Sequence, residues 1–414
     1  HTPQASRAYA EALKSLDEPR LRVFIVDEPL AESDARNRLA AESMGEFLVF
    51  LSASCAIVQP DWLEELLGRA IQPGIAAVAP RLLTADGKVN RAGAVLGLHN
   101  RPVDTPFPGE PLDYPGYYGR ALLAQNFSAL PAACLVIRHS RFAASGGFDP
   151  AFTGNLAAAD LCLRLTREGE WLEWTPFANL LHRGGTDETD GGAPAWGAFY
   201  ERWLPRMARD PAYNPNLSLR HDFAVETLSG LGHDPYPWRP LPRILVNPAD
   251  VSGSGEYRIA APARALNRLL QAQVITSRST LSPPEMARVA PDVIVMQRQI
   301  HEHQVDAIRR YRRFGKAFHV FELDDLITDM PEKSALRPFM PEDAGNWLAE
   351  ALKLCDRFVV STQGLAEAYG HLHPDIRVVP NYLEHDRWQG LAPRREAGRK
   401  PRVGWAGGNS HTGD

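Results

Sequence analysis

Two stretches of alternating strand-like and helix-like segments are separated by a segment that is too rich in proline to continue either of them. Residues 186–242 contain eight prolines, and proline removes a backbone donor and opposes regular structure. We interpret this segment as a linker with one short helix near residues 198–209. The 414 residues therefore predict two α/β modules, in line with the two or three domains that this length favours.

Each module is defined by short apolar runs that predict buried strands. In the first module these are residues 22–26, 46–51, 76–79 and 132–137, with helices predicted at 35–44 and 61–70. In the second they are residues 243–246, 293–296, 319–322, 358–361 and 376–379, with a helix predicted near 257–270. Strands that alternate with helices predict mostly parallel sheets covered by helices on both faces.

Composition excludes several classes of protein. The net charge of -5 argues against a nucleic-acid binder, which usually carries a basic face. No stretch reaches the roughly 18 apolar residues needed to span a bilayer, which leaves only peripheral membrane contact open. The four cysteines are widely spaced, which favours buried thiols in a reducing compartment. We therefore expect a cytoplasmic protein.

The first module carries an ordered set of short motifs. They are ARNRLAA at residues 35–41, GEFLVFL at 45–51, PDWL at 60–63, GGFD at 146–149, DLCLRL at 160–165, and His182. As a set they resemble family 2 glycosyltransferases over about residues 20–185. The resemblance implies a GT-A fold, a nucleotide-sugar donor, a glycan or glycoprotein acceptor and inversion at the anomeric carbon.

The catalytic positions of that family are replaced in this chain. The resemblance implies a D-x-D motif that holds Mg²⁺ or Mn²⁺, but the matching residues are Ser52 and Ser54. Hard cations draw much of their affinity from carboxylate charge, so no metal ligand and no cofactor are expected in this chain. The general base is replaced by Ala158. Asp160 lies two residues further along a helix, about 200° away, so we expect it to cap or pair locally.

Two further residues of the first module are candidate donor contacts by resemblance. His182 stands where family members place a late metal or phosphate contact, and Asp27 ends a predicted strand near the expected nucleotide. Both also have a structural interpretation, as a buried histidine and as a turn cap. We interpret residues 1–185 as a pseudo-enzyme whose first strand is missing. A metal-independent transferase with a relocated base stays open.

The second module carries another ordered set of motifs. They are SGSG at residues 252–255, QR at 297–298, ELDD at 322–325, DR at 356–357, ST at 361–362, VPN at 379–381 and VGWAGG at 403–408. They resemble family 4 glycosyltransferases, which implies the Rossmann-like amino-terminal domain of a GT-B fold at residues 243–398. Residues 399–414 would begin the second domain of that fold, and a retaining mechanism is implied.

Glycines and strand-end polar residues are the candidate ligand contacts of this module. Gly253 and Gly255 precede a helix, where glycine lets backbone N–H groups approach an anion; a tight turn is the alternative. By resemblance, Gly404, Gly407 and Gly408 form a donor-side loop. His301, Asp324 and Asp325 are acceptor-side candidates, although a surface or capping role explains them equally well.

The sequence as a whole predicts an excerpt of a longer sugar-transfer protein that is cut at both ends. It would transfer a sugar from a nucleotide-sugar donor to a glycan or glycoprotein acceptor in surface polysaccharide or glycoprotein assembly, with most of its catalytic power in the second module. The alternative is a non-catalytic scaffold, built from glycosyltransferase folds, that binds carbohydrate or a partner. A nucleotide-sugar oxidoreductase is disfavoured because G-x-G-x-x-G is absent.

Overall fold

The computed structural model describes residues 21–24, 31–183, 192–228, 230–232, 238–251, 253–330 and 337–390. The chain divides into two compact units, His1–Thr227 and Leu228–Asp414. Each unit has its own sheet and a hydrophobic core formed by its own side chains. The division falls far beyond residue 185, where the sequence predicted that the first module ends.

The first unit is built around a seven-stranded sheet. Its path is β1-β8-β3-β9-β2, with β4 paired to β3 and β7 paired to β9, while β5 and β6 form a separate pair. The strands are β1 Phe47–Leu51, β2 Cys55–Ile57, β3 Ile75–Leu83, β4 Val89–Arg91, β5 Val95–Leu96, β6 Val103–Asp104, β7 Gln125–Asn126, β8 Cys134–Arg138 and β9 Trp171–His182. The helices are α1 Glu32–Glu42, α2 Trp62–Ala70, α3 His139–Ser145, α4 Gly154–Leu165 and α5 Gly192–Ala208.

The prediction of a mostly parallel first sheet is wrong. Among its described pairings only β3 with β9 is parallel, whereas β8 runs antiparallel to both β1 and β3. Strand β9 was missed because Pro176 interrupts its apolar pattern. The register jumps from Pro80↔Thr175 to Arg81↔Asn179, and this irregularity accommodates the proline inside a strand.

The linker interpretation is also wrong for residues 192–227, which belong to the first unit, although the short helix predicted near residues 198–209 is present as part of α5. Helix α5 buries Phe199, Trp203 and Met207, which recur at intervals of four residues as on one face of a helix. Asp210 follows it, is buried, and accepts a hydrogen bond from the Leu96 backbone N–H at 3.0 Å. This proline-rich segment is therefore a packed part of the first unit and not a linker.

The second unit contains a six-stranded sheet in the order β11-β10-β12-β13-β14-β15, and every pairing in it is parallel. The strands are β10 Arg243–Asn247, β11 Gln273–Thr276, β12 Val293–Gln297, β13 Phe318–Leu323, β14 Arg357–Val360 and β15 Ile376–Val378. The helices are α6 Ala261–Arg268, α7 Pro283–Val289, α8 Glu302–Phe314, α9 Ala344–Lys353, α10 Gln363–Tyr369 and α11 His385–Trp388. All five strands predicted within the described residues are confirmed, and β11 was missed.

The cysteines and the helices bear on two of the compositional predictions. All four cysteines are buried thiols, as predicted, and burial raises the pKa of Cys162 and of Cys355 to about 12. Thiols in such surroundings are poor nucleophiles because little thiolate forms. Within the described ranges, every helix is too short or too polar to cross a membrane.

Candidate functional site

The two serines at the predicted metal-binding positions are hydrogen-bonded to each other through their hydroxyl groups. They lie in the turn between β1 and β2, where Ser52 Oγ is 2.7 Å from Ser54 Oγ. The Ser52 backbone N–H donates to Ala133 O at 2.8 Å, which fixes the turn against the start of β8. No group of three or more His, Cys, Asp or Glu side chains that could hold a metal occurs among the described residues. Neutral, mutually bonded hydroxyls supply no charge, so this position does not fit a divalent cation.

The position of the expected general base is enclosed by protein. Ala158 lies in α4 and has no exposed surface, and its neighbours Ala157 and Ala159 are buried as well. A methyl group cannot accept a proton, and complete burial would deny it contact with a substrate hydroxyl. Helix α4 therefore serves here as a core helix.

Asp160 is held by three side chains. It is fully buried, and its carboxylate accepts hydrogen bonds from Arg164 Nε at 2.8 Å, Arg202 Nη1 at 2.9 Å and Trp203 Nε1 at 3.0 Å. Two of these donors belong to α5, so the aspartate joins α4 to α5. Asp160 pairs locally with Arg164, as predicted, but its two other donors lie 42 and 43 residues away.

His182 ends β9 and is buried opposite Cys55 of β2. Its Nδ1 lies 3.2 Å from Asn90 Oδ1, which belongs to β4. The ring is thus fixed by the sheet, and its role as a donor contact stays a prediction. Asp27 lies outside the described residues.

In the second unit, polar residues gather where the strand order reverses. The chain passes from β10 to β11 on one side and then returns to place β12 on the other side of β10. In parallel sheets such a switch point opens a crevice beyond the carboxyl ends of the strands. Asp250 follows β10, Gln297 and Arg298 lie at the end of β12, and Glu322 is near the end of β13.

Arg298 connects the loops that follow three strands. Its guanidinium lies 3.2 Å from Asp250 and 3.5 Å from Asp325. Its backbone adopts a φ of 46°, a left-handed conformation that is costly for residues other than glycine. Gln297 Oε1 accepts from the Ala249 backbone N–H at 2.9 Å, so the loop after β10 is anchored to the end of β12. Of the acceptor-side candidates, Asp325 is therefore in contact with Arg298.

A buried ion pair between Arg258 and Glu322 lies near the end of the same strands. Arg258 Nε is 2.6 Å from Glu322 Oε1, and the two side chains are 5% and 4% exposed. Arg258 also donates to Val379 O and Asn381 Oδ1, beyond β15. Burial raises the pKa of Glu322 to about 7, even though Arg258 opposes the shift. A carboxyl group that titrates near neutral pH at the ligand end of a sheet is a functional candidate.

Three polar atoms of this cluster are buried without a hydrogen-bond partner among the described residues. They are Gln297 Nε2, Glu322 Oε2 and Asp324 Oδ1. Gln297 is close enough to lower the Glu322 pKa weakly, although that contact falls outside hydrogen-bond geometry. A buried polar atom without a hydrogen-bond partner costs free energy unless a water molecule or a ligand supplies that partner. Asp324 therefore joins the cluster, which we name the strand-end cluster: Asp250, Arg258, Gln297, Arg298, Glu322, Asp324 and Asp325.

The two glycines of the loop after β10 differ in role. Gly253 is exposed with a φ of 50° and no atoms near its Cβ position, which suits a turn. Gly255 is buried, and a Cβ there would lie 2.1 Å from Asp250 O. Gly255 begins a π-helical turn, Gly255–Ala260, that leads into α6. Its N–H donates to Asp250 Oδ1 at 3.1 Å, so a carboxylate of the chain occupies this helix start, where we expected an anion. Gly404, Gly407 and Gly408 lie outside the described residues.

His301 does not join the strand-end cluster through any contact of the described residues. It immediately precedes α8, and its ring stacks on His303 with the centroids 5.8 Å apart. Its backbone N–H donates to Gln304 Oε1 at 3.0 Å. This geometry agrees with the capping alternative, and a role at the acceptor stays a prediction.

Comparison with known proteins bears on the amino-terminal part of the first unit. Residues 1–140 match the family model described as Glycosyl transferase family 2. The predicted family 2 glycosyltransferase domain is therefore confirmed for this part of the chain. The match includes Ser52 and Ser54 and ends before α4.

Two curated relatives extend the similarity. The chain is 35% identical over 223 residues to the uncharacterized protein y4gI of Sinorhizobium fredii (strain NBRC 101917 / NGR234), covering 50% of this chain and 24% of the relative. It is 30% identical over 262 residues to the O-antigen biosynthesis protein RfbC of Myxococcus xanthus, covering 61% of this chain and 20% of the relative. The chain thus spans a quarter or less of the length of these relatives.

Among solved structures, GalNAc-T7 with UDP, GalNAc and Mn²⁺ matches 51% of this chain and 43% of its own. The identity is 14% and the TM-score 0.35. A likeness of this strength is too weak to assign a shared fold.

Proposed function

We propose that the chain is part of a glycosyltransferase of surface polysaccharide assembly, located in the cytoplasm, whose first unit is a GT-A-like pseudo-enzyme. The support for the class is the family 2 domain at residues 1–140 and the similarity to an O-antigen biosynthesis protein. The support for lost chemistry is the mutual hydrogen bond of Ser52 and Ser54. The enclosed Ala158 agrees with it, because a site without cation ligands and without a base cannot activate donor and acceptor together.

We further propose that the second unit is the Rossmann-like amino-terminal domain of a GT-B module. The support is its all-parallel sheet, whose strand order reverses between β10 and β12. The strand-end cluster lies where such sheets bind ligands. In this proposal a nucleotide sugar is the donor, and the cluster contacts the glycan acceptor.

The chemistry available to the strand-end cluster is orientation and proton transfer. Glu322, with a pKa of about 7, can accept or release a proton near neutral pH, as a general base or acid requires. Its Oε2 and Asp324 Oδ1 lack partners among the described residues and could each accept a hydrogen bond from a sugar hydroxyl. Arg258 holds the Glu322 carboxylate in place, and Arg298 pairs with the neighbouring Asp250 and Asp325.

The alternative function is a scaffold that binds carbohydrate or a partner without catalysis. The packing of α4 and α5 around Asp160 favours it for the first unit, because a former catalytic helix now serves the core. A full-length chain with sugar-transfer activity that is lost when the strand-end cluster is changed would support the enzyme.

Mn²⁺ is expected to leave nucleotide-sugar binding by the chain unchanged within about twofold, because Ser52 and Ser54 add no charge to hold the ion. Titration calorimetry with UDP-glucose and GDP-mannose, with and without Mn²⁺, measures this directly. The Ser52→Ala/Ser54→Ala variant is the matched control. A low-micromolar affinity that requires Mn²⁺ and disappears in this variant would show that the serines hold the metal, and the pseudo-enzyme proposal would fail.

A further inference from the structure

The first unit contains a cavity of about 470 Å³ whose walls come from residues 99–117 and 222–224. This volume falls within the roughly 300–1,000 Å³ of small-molecule pockets. None of its lining residues is one of the positions taken from the family 2 resemblance. We call it the aromatic pocket.

Flat rings line the aromatic pocket. Phe223 is stacked between Phe107, at 5.0 Å and 15°, and Tyr117, at 5.6 Å and 7°. Tyr114 meets Phe107 edge-on at 6.1 Å. Tyr114 and Tyr117 are more than a third exposed, although aromatic rings of this size gain free energy when they are buried. The stack therefore presents an apolar surface that a ligand could cover.

A charged histidine ties the two wall segments together. His99 Nδ1 is 3.0 Å from Asp104 Oδ2, and His99 Nε2 is 3.0 Å from Asp222 Oδ1. The hydrogen bonds with Asp104 and Asp222 raise the pKa of His99 to about 9, so the ring is protonated at neutral pH. Asp222 Oδ2 also accepts from the Phe107 backbone N–H at 2.8 Å. The walls are thus held in place by the protein itself.

Backbone strain is concentrated at the same place. The described residues of the first unit include five non-glycine residues with positive φ, and all five line the pocket or adjoin it. They are His99, Asn100, Phe107, Tyr118 and Phe223. Each such conformation costs roughly 1–3 kcal/mol and persists only where the surroundings enforce it, commonly at ligand-binding sites.

The carboxylate of Glu110, in the wall, has no hydrogen-bond or ion-pair partner among the described residues. Glu110 lines the pocket and is half-buried. Both oxygens of Asp222, by contrast, are already engaged. A free carboxylate beside flat rings can accept hydrogen bonds from neighbouring hydroxyls of a ligand whose apolar face lies on the rings.

We propose that the aromatic pocket binds a neutral pyranose of a glycan chain. A pyranose combines an apolar C–H face, which matches the rings, with equatorial hydroxyls, which match Glu110. An organic cation is the competing ligand, but the Arg120 guanidinium already lies over one of these rings, 5.3 Å from the Phe223 centroid, which disfavours it. The inference rests on the proposed function only for the choice of carbohydrate as ligand.

Saturation-transfer NMR on the whole chain tests this proposal. The probes are methyl β-glucoside, methyl β-galactoside and methyl α-mannoside, in EDTA and without nucleotide, so that donor binding is not measured. At least one glycoside is expected to bind with a Kd on the order of millimolar. Tyr117→Ala should weaken it about tenfold and Glu110→Gln about threefold to tenfold.

Tyr118→Ala is the matched control, because Tyr118 adjoins the pocket but is 87% exposed and is absent from its lining. It should leave the affinity unchanged within about twofold. The proposal is overturned if no glycoside binds, or if Tyr117→Ala and Glu110→Gln leave binding unchanged. It is also overturned if tetramethylammonium binds instead and is lost in Glu110→Gln. Manganese-dependent nucleotide binding would refute the pseudo-enzyme and leave this pocket untouched.

Discussion

Replacing Arg258 with methionine is expected to destabilise the second unit by about 3–5 kcal/mol at pH 8, because it leaves the Glu322 carboxylate buried without its counter-charge. At pH 5 the loss should be much smaller, since a protonated glutamic acid needs no cation. Hydrogen–deuterium exchange of peptides from β12 and β13 measures the stability of this unit separately from the first.

The sign of the pH dependence follows from the pKa of Glu322, which burial raises from 4.5 to about 7. A raised pKa means that the folded state binds the proton more tightly than the unfolded chain. The resulting stability is fully present below pH 4.5 and is lost as the pH rises through about 7. Without Arg258, which opposes the shift, the pKa rises further, so the deficit of the variant grows with pH.

Two control variants distinguish the loss of the buried Arg258–Glu322 pair from the general effect of removing an arginine. Arg264→Met breaks an exposed ion pair with Glu256 and should cost far less than Arg258→Met. Arg258→Met/Glu322→Leu removes both charges and should recover most of the loss. A deficit of Arg258→Met that does not change with pH, or that is no larger than that of Arg264→Met, would mean that Glu322 does not depend on this arginine.

The sheet of the second unit could be predicted because its strands are short apolar runs, such as β12 and β13, as is usual for strands covered on both faces. The weaker β11, Gln273–Thr276, has only two strongly apolar residues and gave no such signal. In the first unit, Pro176 concealed β9, and the prolines around α5 concealed that this helix, predicted near residues 198–209, packs on the first unit. Prolines predict irregular structure from local sequence alone, whereas the tertiary contacts that hold these two segments in a strand and in a helix cannot be read from the sequence.

The candidate sites likewise include features that local sequence motifs indicate and features that depend on contacts between distant residues. That Ser52, Ser54 and Ala158 stand where the family carries catalytic carboxylates stays a prediction, which the sequence allows because motif positions are local. The Arg258–Glu322 pair joins residues 64 positions apart, so no spacing rule indicates it. Asp250 shows the limit of reasoning from glycine patterns: the loop was predicted either to receive an anion or to form a tight turn, and the Gly255 N–H already donates to a carboxylate of the chain.

Asp160→Ala is expected to destabilise the first unit by about 3–5 kcal/mol, because three donors lose their shared buried acceptor. Arg164 would keep only its bonds to Ser145 O and Gly147 O, and the Trp203 indole would lose the one acceptor described for it. Since two of the three donors belong to α5, peptides within residues 192–208 should exchange amide hydrogens faster than those of β1 and β8.

Asp149→Ala is the matched control for this effect. Asp149 is partly exposed and pairs with the same Arg202 at 2.6 Å, yet its loss leaves the Arg202–Asp160 bond intact and should cost less than about 1 kcal/mol. Asp160→Asn, which keeps an acceptor oxygen but not the charge, should fall between the two. If Asp160→Ala instead behaves like Asp149→Ala and removes a sugar-transfer activity, Asp160 is a catalytic base and not the residue that fastens α5. The three variants thus distinguish a family 2 fold that retains only its packing from one that has moved its catalytic carboxylate by two residues.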